Sequence, residues 1–361
     1  MMAIPGAAVR RFFWLAPCAM AILPLLTACT GGGGGAAQPT ATATAPASTA
    51  PASTAPATSS STAPAPARPG ILAVTKTGAL VRIDPTTGST QQTLVASGVL
   101  GDEISVSPDQ STVYYAQRSG CNTEVMSVSA GGGTPTSIAP GQLPAVSPDG
   151  TKLAFTQQPL LAPGCMPTQT NLAILFKVVI RALPAGADTV LSAPPPLQSS
   201  GLFAPISHLS WAADSVRLAV SVSSVEDNEG WSLNIVDTSV AKYYVGPGSG
   251  VTSLPVAGSP DAQRSYIREG IFLPDGNLFI SRACCAGVPV HNTSRLMWEV
   301  TPGGNLVHEV AIGYPNLEHV SLAATPTGQF LLYIAGTDLY VSQNGNRPDK
   351  LTSGVIAATW M

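Results

Sequence analysis

Apolar positions in this chain come in short runs, and the runs come in pairs. Ile104-Ser105-Val106 leads through Ser107-Pro108-Asp109 to Val113-Tyr114-Tyr115-Ala116. Ala145-Val146 leads through Ser147-Pro148-Asp149-Gly150 to Leu153-Ala154-Phe155. Leu209-Ser210-Trp211 passes Ala212-Ala213-Asp214 to reach Leu218-Ala219-Val220, and Ile271-Phe272-Leu273 passes Pro274-Asp275-Gly276 to reach Leu278-Phe279-Ile280. The fifth pair is Leu322-Ala323-Ala324, then Thr325-Pro326-Thr327-Gly328, then Phe330-Leu331-Leu332-Tyr333. Runs this short, rich in β-branched and aromatic residues and bounded by turn residues, predict strands. Pro sets φ at the first turn position, Asp bonds the backbone ahead, and Gly accepts φ > 0.

A second unit is a strand followed by a turn. It occurs at Leu80–Ile83, Val125–Val128, Val178–Ile180, Leu233–Val236, Leu296–Val300 and Leu339–Val341. There are thus five inner hairpins and six outer strands. The first outer strand has no inner hairpin before it. The last residues, Val355 to Trp360, read as an inner strand with nothing after it, and Trp360 stands where Trp211 stands in its own unit. The arithmetic predicts that Val355–Trp360 pairs beside Ile71–Val74 and closes a ring, leaving no open edge. The fold class expected is all-β: a six-bladed β-propeller of four strands and about 48 residues per blade, over residues 70–361. Seven blades stays open, because Asp149, Asp214 and Asp275 are widely spaced. So does a pair of β-sandwich sheets.

The repeat, with Ser-Pro-Asp-Gly intact at Ser147 to Gly150, resembles the TolB-like and WD40-like (PD40-type) propeller repeats of bacterial envelope proteins. The resemblance covers nearly all of 70–361 and implies a fold, not an activity. No Gly-His and Trp-Asp pair marks each repeat, so the WD40 family proper is more distant.

The N-terminal part reads differently. Arg10 and Arg11 precede an apolar stretch from Phe12 to Leu26, and Leu26-Thr27-Ala28-Cys29 follows. The stretch is short for a membrane span. Its layout is that of an export signal, and its end resembles a bacterial lipobox. Residues 1–28 are expected to be a signal peptide, cut before Cys29, whose thiol takes a lipid. Arg10-Arg11-Phe12-Phe13 also faintly resembles a twin-arginine signal, so the export route stays open. Residues 29–69 comprise the lipidated Cys29, a Gly run, and then mostly Ala, Pro, Thr and Ser. Such a segment lacks the apolar residues that offset ordering entropy. It predicts a disordered tether, reaching roughly 100 Å if Pro keeps it extended.

Only 10% of residues are charged and the net charge is −3, against roughly 25% charged in average chains. That suits an extracytoplasmic β protein and excludes electrostatic steering onto nucleic acid. Four cysteines lie beyond Cys29: Cys121, Cys165, Cys284 and Cys285. All are expected between the second and third strands of blades, on one face. In an oxidising compartment Cys121–Cys165 is the sensible disulfide, and Cys284-Cys285 can form a vicinal one. No paired Cys-x-x-Cys spacing points to zinc.

Asp102, Glu103, His208, Arg268, Glu269, Glu318 and His319 stand at or near corresponding points just before the inner strands. They are candidate ligand-binding groups at the channel mouth. The plainer reading is a wet rim that satisfies strand ends. No nucleophile elbow, His-Glu-x-x-His helix, phosphate loop or dinucleotide fingerprint appears, so no catalytic residue, metal or cofactor is assigned. The expected function is a lipid-anchored binding or scaffold module on the outer face of the cell membrane. It would be monomeric and would engage an envelope protein or glycan. The alternative is a metal-dependent hydrolase or lyase at the channel mouth.

Overall fold

The computed structural model describes residues 67–120, 122–157, 177–184, 186–191, 206–222, 232–242, 251–254, 265–284, 297–310, 322–325, 327–344 and 348–361. They form six four-stranded antiparallel sheets, the six blades of one propeller. Blade 1 comprises β1 (Ile71–Thr75), β2 (Leu80–Ile83), β3 (Thr90–Val95) and, innermost, β24 (Val355–Trp360). Blade 2 runs from β4 (Val99–Val106) through β5 (Thr112–Ser119) and β6 (Asn122–Ser129) to β7 (Thr136–Pro140). Blade 3 runs from β8 (Gln142–Val146) through β9 (Lys152–Gln157) and β10 (Lys177–Ala182) to β11 (Asp188–Leu191). Blade 4 holds β12 (Ile206–Trp211), β13 (Arg217–Val222), β14 (Ser232–Asp237) and β15 (Val251–Ser253). Blade 5 holds β16 (Ser265–Phe272), β17 (Leu278–Cys284), β18 (Met297–Val300) and β19 (Leu306–Val310). Blade 6 holds β20 (Leu322–Ala324), β21 (Phe330–Ala335), β22 (Asp338–Gln343) and β23 (Asp349–Ser353).

The ring closes as the strand count requires. β24 pairs antiparallel with β1, with Ile71 opposite Trp360 and Val74 opposite Ala357, and one register shift at Val74/Thr75. The seven-blade and sandwich alternatives are thereby set aside.

The core is six wedges, one per blade interface. Leu72, Val74 and Tyr115 fill the wedge between blades 1 and 2. Tyr114, Phe155 and Val179 fill that between blades 2 and 3. Trp211 and Val220 meet Leu143 and Val178 between blades 3 and 4. Ile71, Val81, Phe330, Leu332 and Trp360 share the wedge that joins blade 6 to blade 1. This is why short strands suffice: the inner and middle strands of each blade bury their side chains against the neighbouring blades, while outer strands such as β3, β11 and β23 stay largely exposed.

The five inner hairpins turn identically in spite of different sequences. A backbone bond spans three residues in each, as in Gln110 N to Ser107 O at 2.8 Å and Ser215 N to Ala212 O at 3.0 Å. The donor residue is left-handed each time: Gly150 at φ 72° and Gly276 at φ 88°, but also Gln110 at 59° and Ser215 at 56°. A type I turn closed by a left-handed residue is a common hairpin solution. The turn aspartates act as the sequence suggests: Asp109 and Asp149 each accept, through Oδ1, the amide two residues on, at 3.0 Å.

Neighbouring blades are also stitched by polar contacts. Ser105 Oγ accepts Val146 N–H at 2.9 Å, and the equivalent Ser210 Oγ accepts Phe272 N–H at 3.0 Å. Trp211 Nε1 donates to Ala145 O at 2.9 Å. At Gly101 a β-carbon would collide with the side chain of Ile356. A side chain there would force Ile356 out of its place against the blade 1–blade 2 wedge.

Candidate functional site

Inner strands run along the ring axis, so each offers one unpaired backbone edge to the central channel. The cavity there is about 210 Å³ and is lined by inner-strand residues of all six blades. The sequence places its candidate residues just before these strands; the structure corrects this, because Glu103, His208 and Glu269 lie inside β4, β12 and β16. The strands extend further back than the apolar runs suggest, since backbone pairing continues where the side chains turn polar.

Glu103, His208 and Glu269 occupy one equivalent position, six residues before Asp109, Asp214 and Asp275. Leu143 holds that position before Asp149 in blade 3, with φ 55°. Each of the four strands breaks register there: Val99/Ile104, Gln142/Ala145, Ile206/His208 and Ile267/Glu269. An irregularity of this kind re-aims a side chain that regular pleating would send into a blade interface.

The three side chains converge from blades 2, 4 and 5. His208 Nδ1 is 3.4 Å from Glu269 Oε1 and 3.7 Å from Glu103 Oε2. Glu103 Oε2 also accepts the backbone N–H of Leu209 at 3.3 Å, satisfying part of the open edge of β12. Glu103 and His208 are both over 90% buried. The Glu103–His208 contact therefore links the non-adjacent blades 2 and 4, and Glu269 joins it from blade 5 next to blade 4.

By charge alone the two carboxylates favour an imidazolium. Loss of water outweighs them, and burial holds His208 down at about 4, so the ring is neutral. Its folded value lies below the ordinary imidazole value, so protonation favours the unfolded chain. The stabilisation is complete above about pH 6.5 and is lost as the pH falls from there through about 4, on the order of 3 kcal/mol. Denaturant midpoints should therefore fall more steeply with acidification in the wild type than in His208→Gln. Parallel curves would contradict this assignment.

The other sequence candidates fare differently. Asp102 and Arg268 have their backbones in β4 and β16, while their side chains lie outside the described structure. Glu318 and His319 lie outside the described residues, as do Cys121, Cys165 and Cys285. Cys284 is not in a loop but ends β17, opposite Ser265. Among the described residues, no group of three or more His, Cys, Asp or Glu side chains could hold a metal ion. The hydrolase or lyase alternative gains no support from them.

A second concavity opens between blades 2 and 3, at the hairpin-turn end. It measures about 860 Å³ and is lined by Asp109, Tyr114, Asp149 and Arg181, among others. Sequence reasoning missed it, because its walls come from two blades and the Ser-Pro-Asp turns that line it read only as markers of the fold.

These features define a closed six-bladed propeller of TolB-like fold. The structure is similar to TolB from Acinetobacter baumannii at TM-score 0.55 and 14% identity, covering 81% of this chain and 65% of that one. It is similar to a putative TolB from Agrobacterium tumefaciens at TM-score 0.50 and 13% identity, covering 80% and 90%. A chain of a nidogen/laminin complex matches at TM-score 0.51 and 11% identity, covering 80% and 97%. The chain thus spans a little under two thirds of the Acinetobacter TolB. No family model matches the sequence, and no curated protein matches it.

Proposed function

We propose that this chain is a lipid-anchored, extracytoplasmic propeller that binds an envelope partner, protein or glycan, on one of its faces. The observation that carries this reading is the division of concave space. The channel offers about 210 Å³ and is crossed by the Glu103–His208–Glu269 cluster, while the cleft between blades 2 and 3 offers about 860 Å³ at the surface. A closed ring whose channel is already occupied by its own side chains leaves its outer faces for binding, and preformed faces bind at low ordering cost. Solved propellers of this shape include one in a nidogen/laminin complex, which supports a partner-holding role.

The anchor rests on Leu26-Thr27-Ala28-Cys29. Cys29→Ser should move the protein from the membrane fraction to the medium, or leave it unprocessed. Unchanged partitioning into a detergent phase would refute lipidation. Crosslinking in intact cells tests the partner: the wild type should yield a discrete adduct that Cys29→Ser loses. An adduct pattern independent of Cys29, or no adduct, would count against an anchored binding module.

A further inference from the structure

The cleft between blades 2 and 3 has a volume within the range of ligand pockets, roughly 300–1,000 Å³. Its walls include Asp109 and Asp149 from two turns, Tyr114 from β5, Ser127 from β6, and Arg181 and Pro184 from blade 3. Tyr114 is the informative residue. It is only 9% exposed, and it packs in the wedge with Val125, Phe155 and Val179. It nonetheless lines the cleft, and its hydroxyl has no hydrogen-bond partner among the described residues. The hydroxyl of this nine-tenths buried side chain opens into the cleft, where it can donate to a ligand that enters.

The charges narrow the ligand. Arg181 is paired with Asp188, its Nε and Nη2 bonding that carboxylate at 2.7 and 2.8 Å, and its Nη1 donates to Ile138 O at 2.8 Å, three of its five N–H groups in all. It is a wall, not a free cation. Asp109 is held ionised first by the Ser107 hydroxyl and then by Ser111. For Asp149, partial burial acts to raise the value, but bonds from Ser147 and Thr151 outweigh it and keep the group ionised. Burial, helped by the charge of Asp109, raises Tyr114, which stays a neutral donor.

An anion would be repelled by the two carboxylates. An apolar ligand would strip water from the carboxylates and the phenol, at about 1–3 kcal/mol for each group left unsatisfied. A simple cation would satisfy the carboxylates but make no use of the Tyr114 O–H. A ligand bearing several hydroxyls answers both demands. One of its oxygens accepts from Tyr114, and its O–H groups donate to Asp109 and Asp149. Its C–H face can rest on Pro184.

We infer that the cleft between blades 2 and 3 binds a saccharide unit through Tyr114, Asp109 and Asp149. This deepens the binding-module reading and rests on it. The test uses the full-length chain in detergent and saturation-transfer NMR with glucose, galactose, mannose and N-acetylglucosamine at millimolar concentration. Spermidine serves as the cationic competitor. At least one sugar should receive saturation. Tyr114→Phe and Asp149→Ala should each weaken it about five- to tenfold, the loss of one hydrogen bond. Spermidine should not displace it. Should Tyr114→Phe fail to fold, Asp149→Ala decides alone. Absence of transfer to every sugar, equal transfer in the variants, or displacement by spermidine would overturn the inference. If Tyr114→Phe still forms the cellular crosslinked adduct while no sugar binds, the cleft fails and the binding-module reading stands.

Discussion

Deleting residues 354–361 is expected to abolish cooperative unfolding of the propeller or lower its melting temperature by more than about 10 °C. The segment is short, but it is the inner strand of blade 1. Its loss strips the ladder from Ile71 to Thr75 and exposes that edge. It also removes the bonds from Lys76 N to Gly354 O at 2.9 Å and from Met361 N to Gly70 O at 2.8 Å. Two wedges lose material at once: Val355 and Trp360 leave the blade 6–blade 1 wedge, and Ile356 and Ala357 leave the blade 1–blade 2 wedge. Trp360 packs on Phe330 with ring centroids 5.8 Å apart. Burying such a residue is worth about 3–5 kcal/mol by truncation, against a total stability of about 5–15 kcal/mol. Unlike Trp211, whose Nε1 bonds Ala145 O, the Trp360 Nε1 is buried without a partner among the described residues. The value of Trp360 is therefore packing, and Trp360→Phe should recover much of what Trp360→Ala loses. Thermal unfolding of the truncated, Trp360→Ala and full-length chains measures this. A truncated chain melting within a degree or two of the original would show that the strand is dispensable.

His208→Ala should destabilise the protein by about 1–3 kcal/mol, because it removes the neutral ring that stands between two carboxylates in a buried channel. Glu103 and Glu269 then face each other, and Glu103 retains only part of its setting through the Leu209 amide. A double-mutant cycle between Glu103→Ala and His208→Ala should give a coupling of about 1 kcal/mol or more, since residues in direct contact are not additive. Additive denaturant midpoints would show that the cross-channel contact carries no energy.

The blades were legible in the sequence because their determinants are local. Apolar runs of four to six residues, turns carrying Asp109, Asp149, Asp214 and Asp275, and the unmatched strand at Val355–Trp360 define strands, hairpins and closure. Each depends on a few neighbouring residues or on a count. The six-residue spacing from Glu103, His208 and Glu269 to their turn aspartates was also present. It carried no message until the register breaks in β4, β12 and β16 showed which way those positions point.

The meeting of Glu103 with His208 and the Leu209 amide was decided only by tertiary structure, since the distance across a propeller axis depends on the diameter and tilt of all six blades. The cleft at Tyr114 belongs to the same class. Tyr114 and Tyr115 are adjacent and chemically alike, yet strand alternation sends one toward blade 3 and the other into the blade 1–blade 2 wedge. Burial there raises Tyr115 to about 12. Alternation is written in the sequence. Which of the two faces opens into a cleft is fixed by how neighbouring blades fill their shared wedge, a property of two sheets together and of neither strand alone.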